Sequence, residues 1–145
     1  MTKNLFDLYS IKVIYAEKNI DFSHMPPYLD DRNRVMVPVR SFGETVNADV
    51  QWEEATKEII LTKDGVTVKF ALNSDTYFIK KNIEKMDTTP VLINGRTYIP
   101  VRYIAEAFNM GINWDGKDRM VSLNWNLKRK CYNNGLFLIY KHLPN

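Results

Sequence analysis

A chain of 145 residues that is 45% hydrophobic and 26% charged is long enough to bury a core as one domain, or as two very small subdomains sharing one. That balance excludes the disordered, collagen-like and membrane-embedded classes. The formal charge of +3 sits in a tail, because residues 125–145 contain Lys128, Arg129, Lys130 and Lys141 and no acid, which leaves residues 1–124 at about −1; a nucleic-acid binder carries its charge as a patch on the folded body, so nucleic acid is not an expected partner.

The N-terminal stretch MTKNLFDLYSIKVIYAEKN has one early lysine but no unbroken apolar region and no small-residue cleavage pattern, so no signal peptide is expected. No run approaches the roughly 18 apolar residues of a membrane helix. Residues 11–22, IKVIYAEKNIDF, alternate in polarity and turn near Glu17–Asn19, which predicts a strand pair. Pro26 and Pro27 then break the chain.

Residues 35–53 read VMVPVRSFGETVNADVQWE, and residues 97–115 repeat the phrase as TYIPVRYIAEAFNMGINWD. At an offset of 62, Pro38, Val39, Arg40, Glu44, Asn47 and Trp52 fall on Pro100, Val101, Arg102, Glu106, Asn109 and Trp114. Apolar positions match too, and the correspondence continues through Ile59 with Val121 and Leu61 with Leu123. In each phrase a short β-prone run meets a proline suited to a helix start, by its fixed φ and its missing N–H. The apolar residues that follow, Val39, Phe42 and Val46 or Val101, Ile104, Ala105 and Phe108, draw one helical stripe. Asn47 and Asn109 are expected to end these helices, since Asn tolerates the left-handed conformation. A hairpin should follow each helix: DVQW returning as IILT, and GINW returning as MVSL.

Between the phrases, VTVKFAL and TYFIKKNIEKM read as further strands, Pro90 breaks the chain, and NGR at 94–96 signals a turn. The predicted fold is therefore α+β: two pseudo-symmetric strand–strand–helix–hairpin repeats, about 11–63 and 64–124, with a mainly antiparallel sheet and one short helix each. The domain covers residues 1–124. The basic tail 125–145 has no counterpart, and its LFLIY reads as an added strand or a clasp.

The chemistry-bearing residues favour structural roles. Arg40 with Glu44, and Arg102 with Glu106, stand at i, i+4 and predict helical ion pairs. Trp52 and Trp114 suit either sugar stacking or core packing; core packing is the expectation, because a tryptophan closing a hairpin buries on the order of 200 Å². Trp125, Tyr77 and Tyr98 are less constrained, and an exposed group of them would make the better ligand surface. The lone Cys131 excludes an internal disulfide and a multi-Cys zinc site. Nucleophile-elbow and phosphate-loop motifs are absent from the sequence, and the Asp30–Asp31 and Asp115–Asp118 segments lack the alternating ligands of a calcium loop, so turn chemistry is their expected role.

MVPVRSFGETVNADVQWEEATKEIILT and NGRTYIPVRYIAEAFNMGINWDGKDRMVSL together resemble the copper amine oxidase N-terminal-like domain, also called the stalk domain, over about residues 11–124. The helix ends depart from the family's preference for glycine, carrying Asn–Ala and Asn–Met. The resemblance implies a non-catalytic, cell-surface or cell-wall-associated binding module of a Gram-positive bacterium. Its partner would be wall polysaccharide or peptidoglycan, or a protein, with no membrane contact. It also implies an extracellular location, whereas the missing signal peptide leaves a cytoplasmic one open unless an export segment lies outside this sequence. Amine oxidase chemistry needs three histidine ligands on copper, and neutral imidazole is the usual ligand for that metal. Only His24 and His142 are present, so no cofactor, metal or enzymatic activity is expected. The alternative is a homo-oligomeric scaffold, such as a homodimer paired through strand edges, and after it a degenerate enzyme fragment.

Overall fold

A computed structural model describes residues 10–22 and 25–125, with the backbone alone at Trp125. The tail 126–145, with LFLIY and Cys131, lies outside the described residues, as do His24, His142 and the Trp125 side chain. The described chain is mostly antiparallel sheet with two short helices, an α+β arrangement. None of its helices is long and apolar enough to cross a membrane.

Three sheets carry the strands. The first orders β12 (Met110–Asp115), β13 (Met120–Trp125), β1 (Lys12–Tyr15) and β2 (Lys18–Asn19). The second orders β10 (Val91–Ile93), β11 (Arg96–Pro100), β4 (Val35–Pro38) and β3 (Tyr28–Leu29). The third is a meander of β5 (Asp49–Glu53), β6 (Glu58–Lys63), β7 (Val66–Ala71), β8 (Thr76–Ile79) and β9 (Asn82–Lys85). Four of the tight connections are two-residue turns with positive φ at both residues: Ala16–Glu17, Asp64–Gly65, Lys80–Lys81 and Asn94–Gly95. That is the turn whose twist matches the flanking strands, and NG and DG are its favoured sequences.

The helices α1 (Val39–Thr45) and α2 (Val101–Ala107) each run seven residues from a proline at the N-cap. Both stop where expected: Asn47 and Asn109 adopt φ of 63° and 62°, and their N–H groups donate to the Glu44 and Glu106 carbonyls. Helices this short do not persist alone in water; packing holds them. Phe42, Val46, Ile104 and Ala105 are fully buried with Val37, Ile99, Leu61, Phe70 and Val121 in one continuous cluster. Each helix also crosses to the other phrase's strand, α1 onto β11 and α2 onto β4.

Two pairings hold the layers together. Antiparallel β4 and β11 meet with Val37 opposite Ile99, Pro38 opposite Tyr98 and Met36 opposite Pro100. Parallel β1 and β13 meet with Val13 opposite Val121, so the N-terminal strand completes the hairpin of the second phrase.

Among the described residues one charged group is buried. Lys63 is 7% exposed, and its ammonium donates to the Val46 carbonyl at 2.6 Å, in the turn that closes α1. Lys63→Met keeps the apolar stem and removes the donor, so the denaturant midpoint is expected to fall by the equivalent of about 1–3 kcal/mol. An unchanged midpoint would mean that this carbonyl finds its partner elsewhere.

Candidate functional site

The strand–proline–helix corner and the following hairpin leave a depression on each side of the β4–β11 pair. The larger is a groove of about 550 Å³; the smaller holds about 140 Å³. Pro38, Val39, Arg40, Val50, Trp52 and Ile59 line the larger, and the residues 62 positions later, Pro100, Val101, Arg102, Ile112, Trp114 and Val121, line the smaller. The opposite walls correspond as well, but crossed. Gly95, Arg96 and Thr97 face the first helix, while Asn33, Arg34 and Val35 face the second.

The tryptophans correct the core expectation. Trp52 is 38% exposed and Trp114 37%. Each stands opposite a buried residue, Ile59 or Val121, and so shares the core-facing side of its hairpin. A seven-residue helix covers Val50, however, and ends short of Trp52. Trp52 thus forms a groove wall, with its indole N–H donating to Glu54 at 2.6 Å. The Glu54 carboxyl is held below its ordinary value, first by its bond from Lys57 and then by Trp52.

The ion pairs expected within the helices are absent among the described residues, where neither Arg40 with Glu44 nor Arg102 with Glu106 reaches pairing distance. All four side chains are exposed, and in water such a pair returns too little Coulomb energy to hold two long side chains in place. Arg40 and Glu44 both line the larger groove.

Tyr98 does not offer a surface. It is 2% exposed, packs 5.2 Å from the Tyr28 ring and donates its hydroxyl to the Pro26 carbonyl at 2.9 Å; burial pushes its phenol upward. Tyr77 is half-buried, stacked on Phe70 at 5.2 Å and set edge-on to Tyr103 at 5.7 Å, and its phenol is raised first by burial and then by Glu106. An exposed aromatic group built from these residues does not form, because strand register turns both rings inward. The Trp125 side chain lies outside the described residues.

The smaller groove is lined by the chain's own polar cluster. Arg34 donates its Nε–H to Asp87 at 2.7 Å and pairs a second nitrogen with the other carboxylate oxygen. The Tyr103 hydroxyl donates to the same carboxylate at 2.8 Å and accepts the Asp87 N–H at 3.2 Å. Arg32 reaches the Asp87 carbonyl at 2.9 Å. Asp30 aims both arginines by accepting their backbone N–H groups, each at 2.9 Å. Sequence reasoning missed this cluster. Its signal was the repeat itself: Arg34 and Arg96 correspond at the offset of 62, whereas Asp87 and Tyr103 correspond to Met25 and Ser41.

Arg34 holds the Asp87 carboxyl far below the usual carboxylate range, burial opposes it, and the Tyr103 hydroxyl lowers it further. A depressed folded value stabilises the fold above the unfolded value of about 3.9, and that contribution is lost as pH falls toward the folded value. The stability gap between the parent and Asp87→Asn is therefore expected at pH 7 and should narrow progressively as pH falls below about 4. Solvent screens the carboxylate, so the gap is small. Denaturant midpoints at pH 7, 4, 3 and 2 measure it, and a gap constant across the series would remove Asp87 from the account.

Among the described residues, no group of three or more His, Cys, Asp or Glu gathers that could hold a metal. Comparison with known proteins supplies the wider context. Over 79 residues, 54% of this chain, the sequence is 29% identical to a Brevibacillus choshinensis protein named "Protease inhibitor". The match spans about a quarter of that relative, 24% of its length. The model of the family described as the copper amine oxidase N-terminal domain matches residues 14–123, which includes both phrases, both helices and both grooves. The chain belongs to the copper amine oxidase N-terminal domain family.

Proposed function

We propose that this chain is a non-catalytic binding module of a protein secreted or displayed by a Gram-positive bacterium, and that its larger groove holds a protein partner. In this reading the domain is two repeats, about 11–63 and 64–124, related by an approximate two-fold axis between Val37 and Ile99. The register favours that axis: each of these residues faces the one 62 positions away, and the helices cross reciprocally. Duplication then gives one groove that is open among the described residues and one whose wall carries the chain's own clamped carboxylate.

The observation that carries the reading is the groove of about 550 Å³, open among the described residues, with Trp52 and Arg96 both in its lining. An apolar surface with a few convergent polar groups is the usual form of a binding site. A protein partner is preferred to wall polysaccharide because Arg40, Arg96 and Glu44 supply charge of both signs, and because one relative carries the name of a protease inhibitor. The exposed Trp52 ring is what favours a sugar.

Two binding assays test this together. The protein is titrated against extracellular endopeptidases of each mechanistic class, reading residual activity and co-elution, and is co-sedimented with Gram-positive sacculi across a salt series. The expected result is a saturable complex with at least one endopeptidase, weakened by Trp52→Ala, and protein left in the supernatant with sacculi. Saturable pelleting that survives salt would move the ligand to the wall. The runner-up reading, a self-assembling scaffold, rests on β9, an edge strand with four exposed residues and Ile83 74% exposed. Its mark would be a concentration-dependent dimer in sedimentation velocity, with no complex in either assay.

A further inference from the structure

The smaller groove displays the ligand chemistry that the larger one lacks. In the smaller, Arg34 sits in a turn with Asn33 at φ 63° and grips the Asp87 carboxylate. In the larger, Arg96 opens β11 directly after Gly95 at φ 77° and lines the same kind of wall. Met25 stands where Asp87 would be, and Ser41 where Tyr103 would be. Arg96 is exposed, and its side chain has no hydrogen bond or ion pair among the described residues. Replacing Tyr103 by Ser41 also empties the space that the phenol fills, consistent with the larger volume on that side.

We infer that the larger groove takes an extended acidic peptide segment of a partner protein, with an Asp or Glu side-chain carboxylate gripped by Arg96 beside Trp52. This rests on the groove being the binding site proposed above. The wall of the smaller groove already shows a carboxylate held in this way: Asp87 belongs to the segment that leaves edge strand β9 for β10, and it brings carboxylate, N–H and carbonyl to its clamp at once. A planar guanidinium favours a carboxylate through paired hydrogen bonds, which neither a neutral amide nor a sugar hydroxyl reproduces. Asp21 and Glu44 balance Arg40 and Arg96 in the lining, so the grip on a carboxylate rests on the paired donors of the Arg96 guanidinium and not on a net positive charge of the groove.

The probe is a capped peptide of the sequence Lys-Met-Asp-Thr-Thr, the chain's own clamped segment, with an Asn-for-Asp version as control. Titration is followed by backbone amide resonances and the tryptophan indole signals. The Asp peptide is expected to shift Gly95, Arg96 and the Trp52 indole saturably, and the Asn peptide to bind roughly tenfold more weakly. Arg96→Ala should lose binding by a similar factor, and Arg96→Lys should restore only part of it. The double variant M25D/S41Y, which grafts the clamp into the larger groove, should abolish binding; if it fails to fold, the Arg96 variants still decide. Equal binding of the two peptides, no shift into the millimolar range, or parental affinity in Arg96→Ala would each overturn the inference. An endopeptidase complex indifferent to Arg96→Ala would also sink it while leaving the binding-module reading intact. Peptide binding without any protein complex would do the reverse.

Discussion

Phe42→Ala is expected to lower the stability of the fold by about 3–5 kcal/mol, while Trp52→Ala, which removes a larger side chain, should cost no more than about half of that. The ordering follows from where each ring sits. Phe42 is 0% exposed at the centre of the α1 stripe, so its truncation forfeits transfer energy and also leaves a cavity enclosed by close-packed neighbours. Trp52 borders the groove at 38% exposure, so its truncation opens onto water, leaves no enclosed void and loses only what its covered face contributed. Denaturant unfolding of the two variants gives the comparison directly. A Trp52→Ala loss equal to that of Phe42→Ala would return the ring to the core and remove it from the groove wall. Retained stability with lost peptide or partner binding would assign it to recognition.

Ile99→Ala carries the second large effect, an expected loss of about 2–5 kcal/mol. Ile99 is fully buried opposite Val37 where β4 meets β11, and this junction joins the two phrases into one sheet. Because the pair is in direct contact, Val37→Ala and Ile99→Ala should couple by roughly 0.5–3 kcal/mol in a double-mutant cycle. Additive losses would mean that the halves are stabilised independently and merely abut. A further consequence would show in the unfolding curve: a shared core gives a single transition, and separable halves give two.

The clamp illustrates why sites are harder to read than folds. Arg34, Asp87 and Tyr103 are 53 and 16 positions apart along the chain, and nothing local marks an aspartate in MDTT as a ligand for an arginine in DRNR. The offset of 62 was visible, but it draws the eye to positions that agree, whereas the open groove depends on positions that disagree, Met25 with Asp87 and Ser41 with Tyr103. The tryptophans failed as core residues for a related reason. Their side of the hairpin followed from alternation, since Trp52 shares a face with Ile59. Their depth depended on how far a seven-residue helix reaches, which alternation does not encode. Arg40 and Glu44 had helical spacing and no pair, because exposure removes most of the energy that spacing makes available.

The amino-acid sequence by itself determined what is local in this protein. Prolines and asparagines bound the two helices, NG and DG set hairpin turns, and period-two alternation drew the hairpins; each acts over a few residues through fixed dihedrals and side-chain direction. Tertiary structure alone decided which strands meet and what is left uncovered. It paired β1 with β13 in parallel across more than 100 residues, set Val37 against Ile99, clamped Asp87 at the wall of one groove and left the other without such a clamp among the described residues. These outcomes depend on burial summed over the whole core and on long-range closure, quantities that no short segment contains.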